Sequence, residues 1–439
     1  MQKIFWPFLI LMLLAAALLA WFAPAGDNAR LMAQIPAVDD AWRAALPRDP
    51  EQATAAYLAR VPAAALARSD AYFEGGYWLR LWNVLSTIGA CLLLLGAQIL
   101  PRLHARLTRR LPGALATFIA SFVFLILLAL LQAPLTVYEG FYREHAYGLS
   151  NQSFAAWLHE VAMGMLIFSI IGAILLGSLL WLIKRSPQQW WLWGAGACLP
   201  LLAFFILLAP VYLDPVFNQY KPLAEGPLRS KILAMARANG VPADNVLQFD
   251  ASRQSNRISA NVSGIGNTAA IRLNDNLLKR CSHPEIEGVM GHELGHYVLN
   301  HVYRALLILS LLALLAFAFV HWLARSLLMR YGAAWSVREM AQIGSLPLIM
   351  LLISLYGLLT TPLQSSAIRV AEIEADLFGL NAAAQPDGVA EVHLKLLEYR
   401  KANPGYWEEV FFYDHPAPRQ RIYAAMRWKA EHWPPAVKP

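Results

Sequence analysis

The sequence predicts a mainly α-helical protein that crosses a membrane seven times and carries polar domains outside the bilayer. Hydrophobic residues make up 58% of the 439 residues and charged residues 15%, whereas soluble domains average about 45–50% and about 25%. The polar residues gather in three stretches between or after long apolar runs. The three cysteines are too few and too scattered for a disulfide framework. Any bound metal would therefore need nitrogen and oxygen ligands.

Seven apolar segments are long enough to cross a hydrocarbon core of ~30 Å, which takes about 20 helical residues. The first could instead be a signal peptide, but its apolar run exceeds the usual ~7–15 residues, so we expect it to be retained. The interiors of these seven segments hold almost no ionisable side chains, which counts against an ion-coupled transporter. The expected spans are Ile4–Phe22, Trp82–Leu100, Gly113–Leu131, Val161–Ile183, Trp190–Leu213, Tyr303–Ala324 and Met340–Leu363.

These spans divide the chain into four regions. Residues 1–213 hold five spans and a long first loop, and residues 214–302 form a polar insert. Residues 303–363 form a transmembrane hairpin and residues 364–439 a polar tail. The net charge of +7 comes largely from short loops, where basic residues set membrane topology. The lipid bilayer is therefore an expected partner, and nucleic acid is not.

The insert ends in the segment HPEIEGVMGHELGHYVLNH, which has the features of a helix start. Ser282 and Glu285 have the spacing of a capping box, and Pro284 suits the first turn. We expect a helix from this cap through Asn300.

Within this helix lies the motif H-E-x-x-H. Residues four apart lie on one helix face, so His292 and His296 can chelate one ion. Glu293 is rotated by about 100°, which suits a base beside the metal. Gly291 and Gly295 lower helix propensity by about 1 kcal/mol each, which indicates close approach of substrate or of a neighbouring segment.

The tail supplies a candidate third ligand. A catalytic zinc has three protein ligands and one open position. In the helical run IRVAEIEADLFGL, Glu372 can complete the coordination, and Asp376 can accept a hydrogen bond from a ligand histidine. Glu374 is assigned no role. An acidic, solvated helix face is the alternative interpretation. The sixth and seventh spans return the chain to one membrane side, where the two helices can meet.

These residues resemble the type 1 CAAX prenyl protease family, the integral-membrane zinc metallopeptidases also called a-factor-converting enzymes. The likeness runs from about Tyr138 to the tail and includes YEGFYREHAYGLSNQSF, LDPVFNQYKPLAEGPL, HELGH and AEIEAD. Residues 1–137 match only in hydropathy. The resemblance implies a seven-span membrane protein with a zincin-like metalloprotease domain, a small β-sheet and one Zn²⁺ per chain.

The resemblance also assigns roles in the tail and the insert. In DHPAPRQRIYAAM, His415 and Arg421 match a family pair that stabilises the oxyanion. Arg369 matches a family arginine and is expected to be structural. The family's Asn-Ala pair on the edge strand is replaced here by RISANVSGIG. The residues expected to pair with substrate backbone are Ser259, Ala260, Asn261 and Val262.

The sequence thus predicts a membrane zinc metalloendopeptidase that hydrolyses peptide bonds with metal-activated water. Its expected substrate is a lipidated or membrane-associated peptide or protein. The alternatives are a zinc-stabilised transporter or scaffold, a peptidase that cuts within a span, and an inactive chaperone-like homologue. Whether the substrate is prenylated, and the oligomeric state, stay open.

The expected location is the bacterial inner membrane, but the side of the zinc site is contested. Basic residues cluster in the second, fourth and sixth loops, and the positive-inside rule places them in the cytoplasm and the zinc site outside. The eukaryotic family resembled here faces the cytosol. The charge distribution favours the outward orientation.

Overall fold

The computed structural model describes residues 28–32, 34–208, 212–263 and 270–432, with positions 7, 10 and 14. Within this part of the chain, six helices are long and apolar enough to cross a membrane. The expected span Ile4–Phe22 lies outside the described residues apart from those isolated positions. The other six expected spans are confirmed, and the candidate spans are Ala63–Ala97, Gly113–Ala146, Phe154–Arg185, Trp190–Leu207, His301–Trp335 and Ile343–Ala383.

Several of these helices extend beyond the expected bounds, because hydropathy marks only the part in lipid. The clearest case is Leu346–Ala383, here called the carboxylate helix, which has 38 residues. At 1.5 Å per residue it is ~57 Å long, against a hydrocarbon core of ~30 Å. Its C-terminal part therefore projects from the bilayer, and the expected start of the tail at residue 364 falls inside one unbroken helix.

The remaining described helices are shorter and lie mostly outside the membrane. They are Asn28–Met32, Asp40–Ala44, Pro50–Leu58, Ile99–Leu107, Asp214–Phe217, Pro227–Ala238, Asp275–Arg280, His283–Val298, Pro386–Leu396, Tyr406–Phe412 and Pro418–His432.

The helix His283–Val298, here called the histidine helix, begins as the sequence predicts. The Glu285 carboxylate accepts a hydrogen bond from the Ser282 backbone at 3.3 Å, which completes the capping box. Its end was predicted too late, since Asn300 has a φ of 58°. Asparagine adopts this left-handed conformation more readily than most residues. The chain turns there and enters the span His301–Trp335 directly.

A four-stranded sheet forms the other half of the insert, in the order β1-β2-β4-β3. β1 pairs antiparallel with β2, β2 pairs parallel with β4, and β3 pairs antiparallel with β4. All five residues of β4 are buried, whereas β3 lies at the edge of the sheet. The strands are β1 Tyr220–Pro222, β2 Val246–Phe249, β3 Ala260–Ser263 and β4 Ala270–Asn274.

The long first loop packs on the C-terminal region, a contact that no sequence pattern predicts. Tyr57 is fully buried and donates a hydrogen bond to Asp387 at 2.8 Å. Arg60 forms an ion pair with Glu391 at 2.6 Å, and both side chains are about nine-tenths buried. The helices Pro50–Leu58 and Pro418–His432 share one hydrophobic cluster. The first loop is therefore a structural part of the C-terminal region.

Candidate metal centre

Glycines bring the histidine and carboxylate helices into backbone contact. A Cβ atom on Gly291 would lie 2.8 Å from the carbonyl oxygen of Gly379, and one on Gly379 would lie 2.6 Å from the His292 nitrogen. A Cβ atom on Gly295 would lie 3.1 Å from the Ala375 Cα atom. The expectation that these glycines allow a close approach is confirmed, and the approaching segment is the carboxylate helix.

This contact brings the three expected ligands together. The Nε2 atoms of His292 and His296 lie 3.1 Å apart. The Glu372 carboxylate oxygens lie 3.2 Å from His292 Nε2 and 3.3 Å from His296 Nε2. Tetrahedral ligands with bonds of ~2.0–2.1 Å, as zinc prefers, lie ~3.3 Å apart. One metal ion could thus be held by all three side chains.

Hydrogen bonding around the triad supports this fit. Both histidines use Nδ1 for other partners, which leaves Nε2 of each ring available to a metal. Oε2 of Glu372 is buried and makes no hydrogen bond of normal geometry among the described residues, although Nε2 of His292 and of His415 each lie 3.2 Å from it. A buried carboxylate oxygen in this state is costly unless a cation is bound. The donor set suits a divalent metal with nitrogen and oxygen ligands.

A carboxylate orients the first histidine. Nδ1 of His292 lies 2.8 Å from Oδ1 of Asp376, as the sequence predicts for a carboxylate that fixes the ring. Arg421 donates from Nε to Oδ2 of Asp376 at 2.8 Å and from Nη2 to Oδ1. The arginine is buried. Arg421 therefore positions the Asp376 carboxylate, which in turn orients the His292 ring.

The second histidine is oriented by residues that the sequence analysis missed. Nδ1 of His296 lies 2.9 Å from Nδ1 of His301, whose Nε2 lies 3.0 Å from Oε2 of Glu374. Arg304 pairs with the same carboxylate at 2.9 Å. Glu374, which the sequence analysis assigned no role, is thus linked to His296 through His301. Its position between Glu372 and Asp376, and a histidine five residues after His296, were the available signals.

The remaining expected catalytic residues line one cavity of about 240 Å³. Glu293 faces this cavity, and burial raises the pKa of its carboxyl group. His415 lies with Nε2 3.2 Å from Oε2 of Glu372 and Nδ1 2.8 Å from Oδ1 of Asp414. Burial lowers the pKa of His415. Arg421 also lines the cavity.

Arg369 holds the segment that leads to His415. Its Nη1 atom donates to the carbonyl oxygens of Glu409 and Tyr413, each at 2.6 Å. This side chain connects the carboxylate helix to the loop before His415, in keeping with the structural part expected of it.

The expected substrate strand lies at the rim of the same cavity. Ala260, Asn261 and Val262 belong to β3, and Ser259 immediately precedes it. Ser259 and Ala260 line the cavity with His292 and Glu293. β3 is the last strand in the sheet order, so one of its edges is free of sheet pairing within the described residues.

Three further cavity residues had no recognisable sequence signal. His393, Tyr399 and Arg400 line the cavity together with His292 and Glu293. Burial lowers the pKa of His393 well below its usual value, so this imidazole is neutral. These residues follow the carboxylate helix in a segment whose packing no short motif encodes.

A helical membrane domain joined to an H-E-x-x-H helix and a third, distant carboxylate defines an integral-membrane metalloprotease. Two family models match the chain side by side. One, Peptidase family M48, matches residues 222–429, and the other, the CAAX prenyl protease N-terminal region with five membrane helices, matches residues 48–219. The chain belongs to peptidase family M48, with the membrane domain of the CAAX prenyl proteases. The family implies a metal cofactor.

Individual relatives agree with this assignment. An uncharacterized metalloprotease of Bacillus subtilis, YhfN, is 29% identical over 69% of this chain and 72% of its own length. CAAX prenyl protease 1 of Saccharomyces cerevisiae is 25% identical over 67% of this chain and 68% of its own. The crystal structure of S. mikatae Ste24p has the same fold, with a TM-score of 0.67 and 19% identity over 95% of this chain and 98% of that one.

Proposed function

We propose that the protein is a zinc-dependent endopeptidase in which His292, His296 and Glu372 hold one zinc ion per chain. The convergence of these three ligand atoms, with an unsatisfied oxygen on Glu372, carries the proposal. When bound, zinc supplies a Lewis acid for the scissile carbonyl group and lowers the pKa of water.

Glu293 is the proposed general base and acid. It follows His292 directly and lines the cavity beside the triad. It would take a proton from the attacking water and return it to the leaving nitrogen. Burial raises the pKa of its carboxyl group, which brings the group closer to the working range of a general base.

His415 and Arg421 are the proposed donors to the oxyanion that develops on the substrate carbonyl. His415 is better placed for this part, because Arg421 already makes two hydrogen bonds to Asp376. Arg421 would then act mainly by holding Asp376, and through it the ring of His292. The edge of β3, beginning at Ala260, is the proposed support for the substrate backbone.

The position of the site supports a substrate at the membrane boundary. Glu372 lies 26 residues after the start of the carboxylate helix at Leu346, or ~39 Å along its axis. That length exceeds the ~30 Å of a hydrocarbon core, so the ligands lie near or beyond the edge of the lipid. This favours lipidated or membrane-associated peptides, including prenylated ones, over bonds inside a span.

The bacterial inner membrane is the proposed location. The loops at the end opposite to the metal ligands carry clusters of arginine and lysine. Under the positive-inside rule these loops face the cytoplasm and the metal site faces outward. A reporter fused after residue 432 tests this orientation, since a cytoplasmic reporter signal would contradict it.

Cleavage of a fluorogenic peptide by the purified protein, with a chelator and with zinc restored, tests the proposed function. We expect the chelator to abolish cleavage, zinc to restore it, and Glu293→Gln to lose cleavage while keeping zinc. Glu287→Gln is the matched control, because Glu287 lies on the same helix and bonds instead to Gln385 at 3.0 Å. Full cleavage by a clean Glu293→Gln preparation would overturn the proposal.

A further inference from the structure

The helix Tyr406–Phe412, here called the aromatic helix, turns large apolar side chains away from the protein. Tyr406, Trp407 and Phe411 are 72%, 69% and 44% exposed. A surface helix in water normally buries its apolar side chains and exposes its polar ones. Single exposed apolar residues are common, but three aromatic rings on one short helix form a patch, and such patches mark interaction surfaces.

The acidic residues of the aromatic helix, by contrast, face the protein. Glu408 pairs with Lys401 at 2.9 Å, and the Glu409 carboxylate lies 3.8 Å from Nε of Arg369. The two acidic side chains are 29% and 21% exposed. They are the only charged residues of the helix, so its outer face presents aromatic rings and no charge.

Contacts with the span Ala63–Ala97 fix the height of the aromatic helix relative to the membrane. The rings of Phe412 and Tyr77 stack with their centroids 4.0 Å apart, and Arg80 donates to the Phe412 carbonyl oxygen at 3.4 Å. Arg80 is the last charged residue before residues 81–101, which carry no charge. A stretch of this length crosses a hydrocarbon core, which takes about 20 helical residues. The aromatic helix therefore lies level with the edge of the bilayer.

The lipid-facing side of this span begins beside the aromatic helix. Four exposed apolar residues share one face of the span, and at about 100° per residue they fall within an arc of about 80°. They are Trp78, Trp82, Leu85 and Leu92, which are between 45% and 65% exposed. An apolar face that a span leaves exposed is covered by lipid, whose tails are as apolar as leucine. Trp78 directly follows Tyr77, so the aromatic helix adjoins this face.

We propose that the aromatic helix lies in the membrane interface, where Tyr406, Trp407 and Phe411 insert among the lipid headgroups. Its outer face then continues the lipid-facing surface that begins at Trp78. Tyrosine and tryptophan are enriched at this level of a bilayer because their rings are amphipathic. A helix with one uncharged aromatic face can lie in the plane of the interface. The partner of this face is thus the lipid, and not a second protein chain.

The contact with lipid extends to the metal cavity through one arginine. Arg369 donates to the carbonyl oxygens of Glu409, within the aromatic helix, and of Tyr413, just after it. His415 follows two residues later. Lipid that holds the aromatic helix therefore also holds the segment that carries His415. The lipid contact itself does not depend on the chemistry proposed for the metal site.

Depth-dependent fluorescence quenching of the full chain in lipid nanodiscs tests the proposal. The three native cysteines are replaced by alanine, and Trp407→Cys is labelled with bimane. We expect a nitroxide near the lipid headgroup to remove more of the fluorescence than one near the end of the acyl chain or a water-soluble nitroxide. Tyr406→Cys is a second labelling site and should give the same order, since Tyr406 is exposed beside Trp407.

Two further labelling sites calibrate the measurement. Leu92→Cys, in the exposed face of the span, should respond most to the deep nitroxide. Glu431→Cys lies on the helix Pro418–His432, where the Glu431 side chain is 54% exposed, and should respond only to the water-soluble nitroxide.

Quenching at Trp407→Cys and Tyr406→Cys by the water-soluble nitroxide alone would overturn the proposal, because the aromatic face would then lie in water. Quenching by none of the three nitroxides would overturn it too, since protein, such as a second copy of the chain, would cover the face. A response like that of Leu92→Cys would place the helix in the hydrocarbon core and contradict an interfacial position. Peptide cleavage is not part of this measurement, so the proposed function of the metal site is tested separately.

Discussion

His301 contacts the metal ligand His296 nitrogen to nitrogen, with the two Nδ1 atoms 2.9 Å apart. If His296 binds metal through Nε2, its Nδ1 carries the proton and donates a hydrogen bond to Nδ1 of His301. His301 must then carry its own proton on Nε2, which lies 3.0 Å from the Glu374 carboxylate. One arrangement of protons satisfies the whole chain of hydrogen bonds. His292 reaches its carboxylate directly, whereas His296 reaches Glu374 through a second imidazole.

Substituting His301 or Glu374 is therefore expected to weaken zinc binding without removing a ligand. Loss of a hydrogen-bond partner behind a metal-binding histidine typically costs about 10- to 100-fold in affinity. We expect this range for His301→Ala and a smaller loss for Glu374→Gln, measured by competition with a chromophoric chelator. Glu431→Gln, on the outer C-terminal helix, is the control. Unchanged affinity in His301→Ala would show that His301 has no part in holding the ring.

The glycine contact between the two ligand helices predicts a sharp difference between two similar substitutions. Gly291→Ala places a methyl group 2.8 Å from a backbone oxygen, and such overpacking costs about 1–3 kcal/mol. We expect a lower unfolding temperature in detergent and reduced zinc content. Gly357→Ala lies on the carboxylate helix with nothing within 4 Å, so it should leave both unchanged. Equal behaviour of the two variants would refute the close contact.

The ion pair between Arg60 of the first loop and Glu391 of the C-terminal region predicts an effect on stability far from the metal site. Arg60→Ala leaves Glu391 buried without its partner, and breaking such a pair from one side costs about 3–5 kcal/mol. We expect a marked fall in the unfolding temperature and partial recovery in the double variant Arg60→Ala, Glu391→Gln. The absence of any change in the single variant would indicate that the loop does not pack as described.

The sequence predicted those parts of the site that depend on local spacing. His292 and His296 share a helix face because they are four residues apart, and the capping box at Ser282 and Glu285 is a local signal. Glu372 could be predicted as the third ligand because a membrane hairpin must return to the side it left. Fold class, membrane character and protease class could be predicted because they too depend on local spacing and on the pattern of apolar segments.

The parts of the site and fold that depend on packing could not be predicted from the sequence. The roles of His301 and Glu374 required knowing how the histidine and carboxylate helices are rotated against each other. The burial of Tyr57 against the C-terminal region is a contact over more than three hundred residues, and no local pattern encodes it. Hydropathy also marked only the apolar part of the last long helix, which continues to Ala383, because a helix extends into water where its other contacts sustain it.

Metal analysis of three purified proteins tests the central claim most directly: the wild type, Glu293→Gln and Glu372→Ala. We expect about one zinc ion per chain in the first two and a large loss of zinc in the third, because Glu372 is a ligand and Glu293 is not. Undiminished zinc in folded Glu372→Ala would contradict the account, since the metal would then be held without the carboxylate on which the site is built.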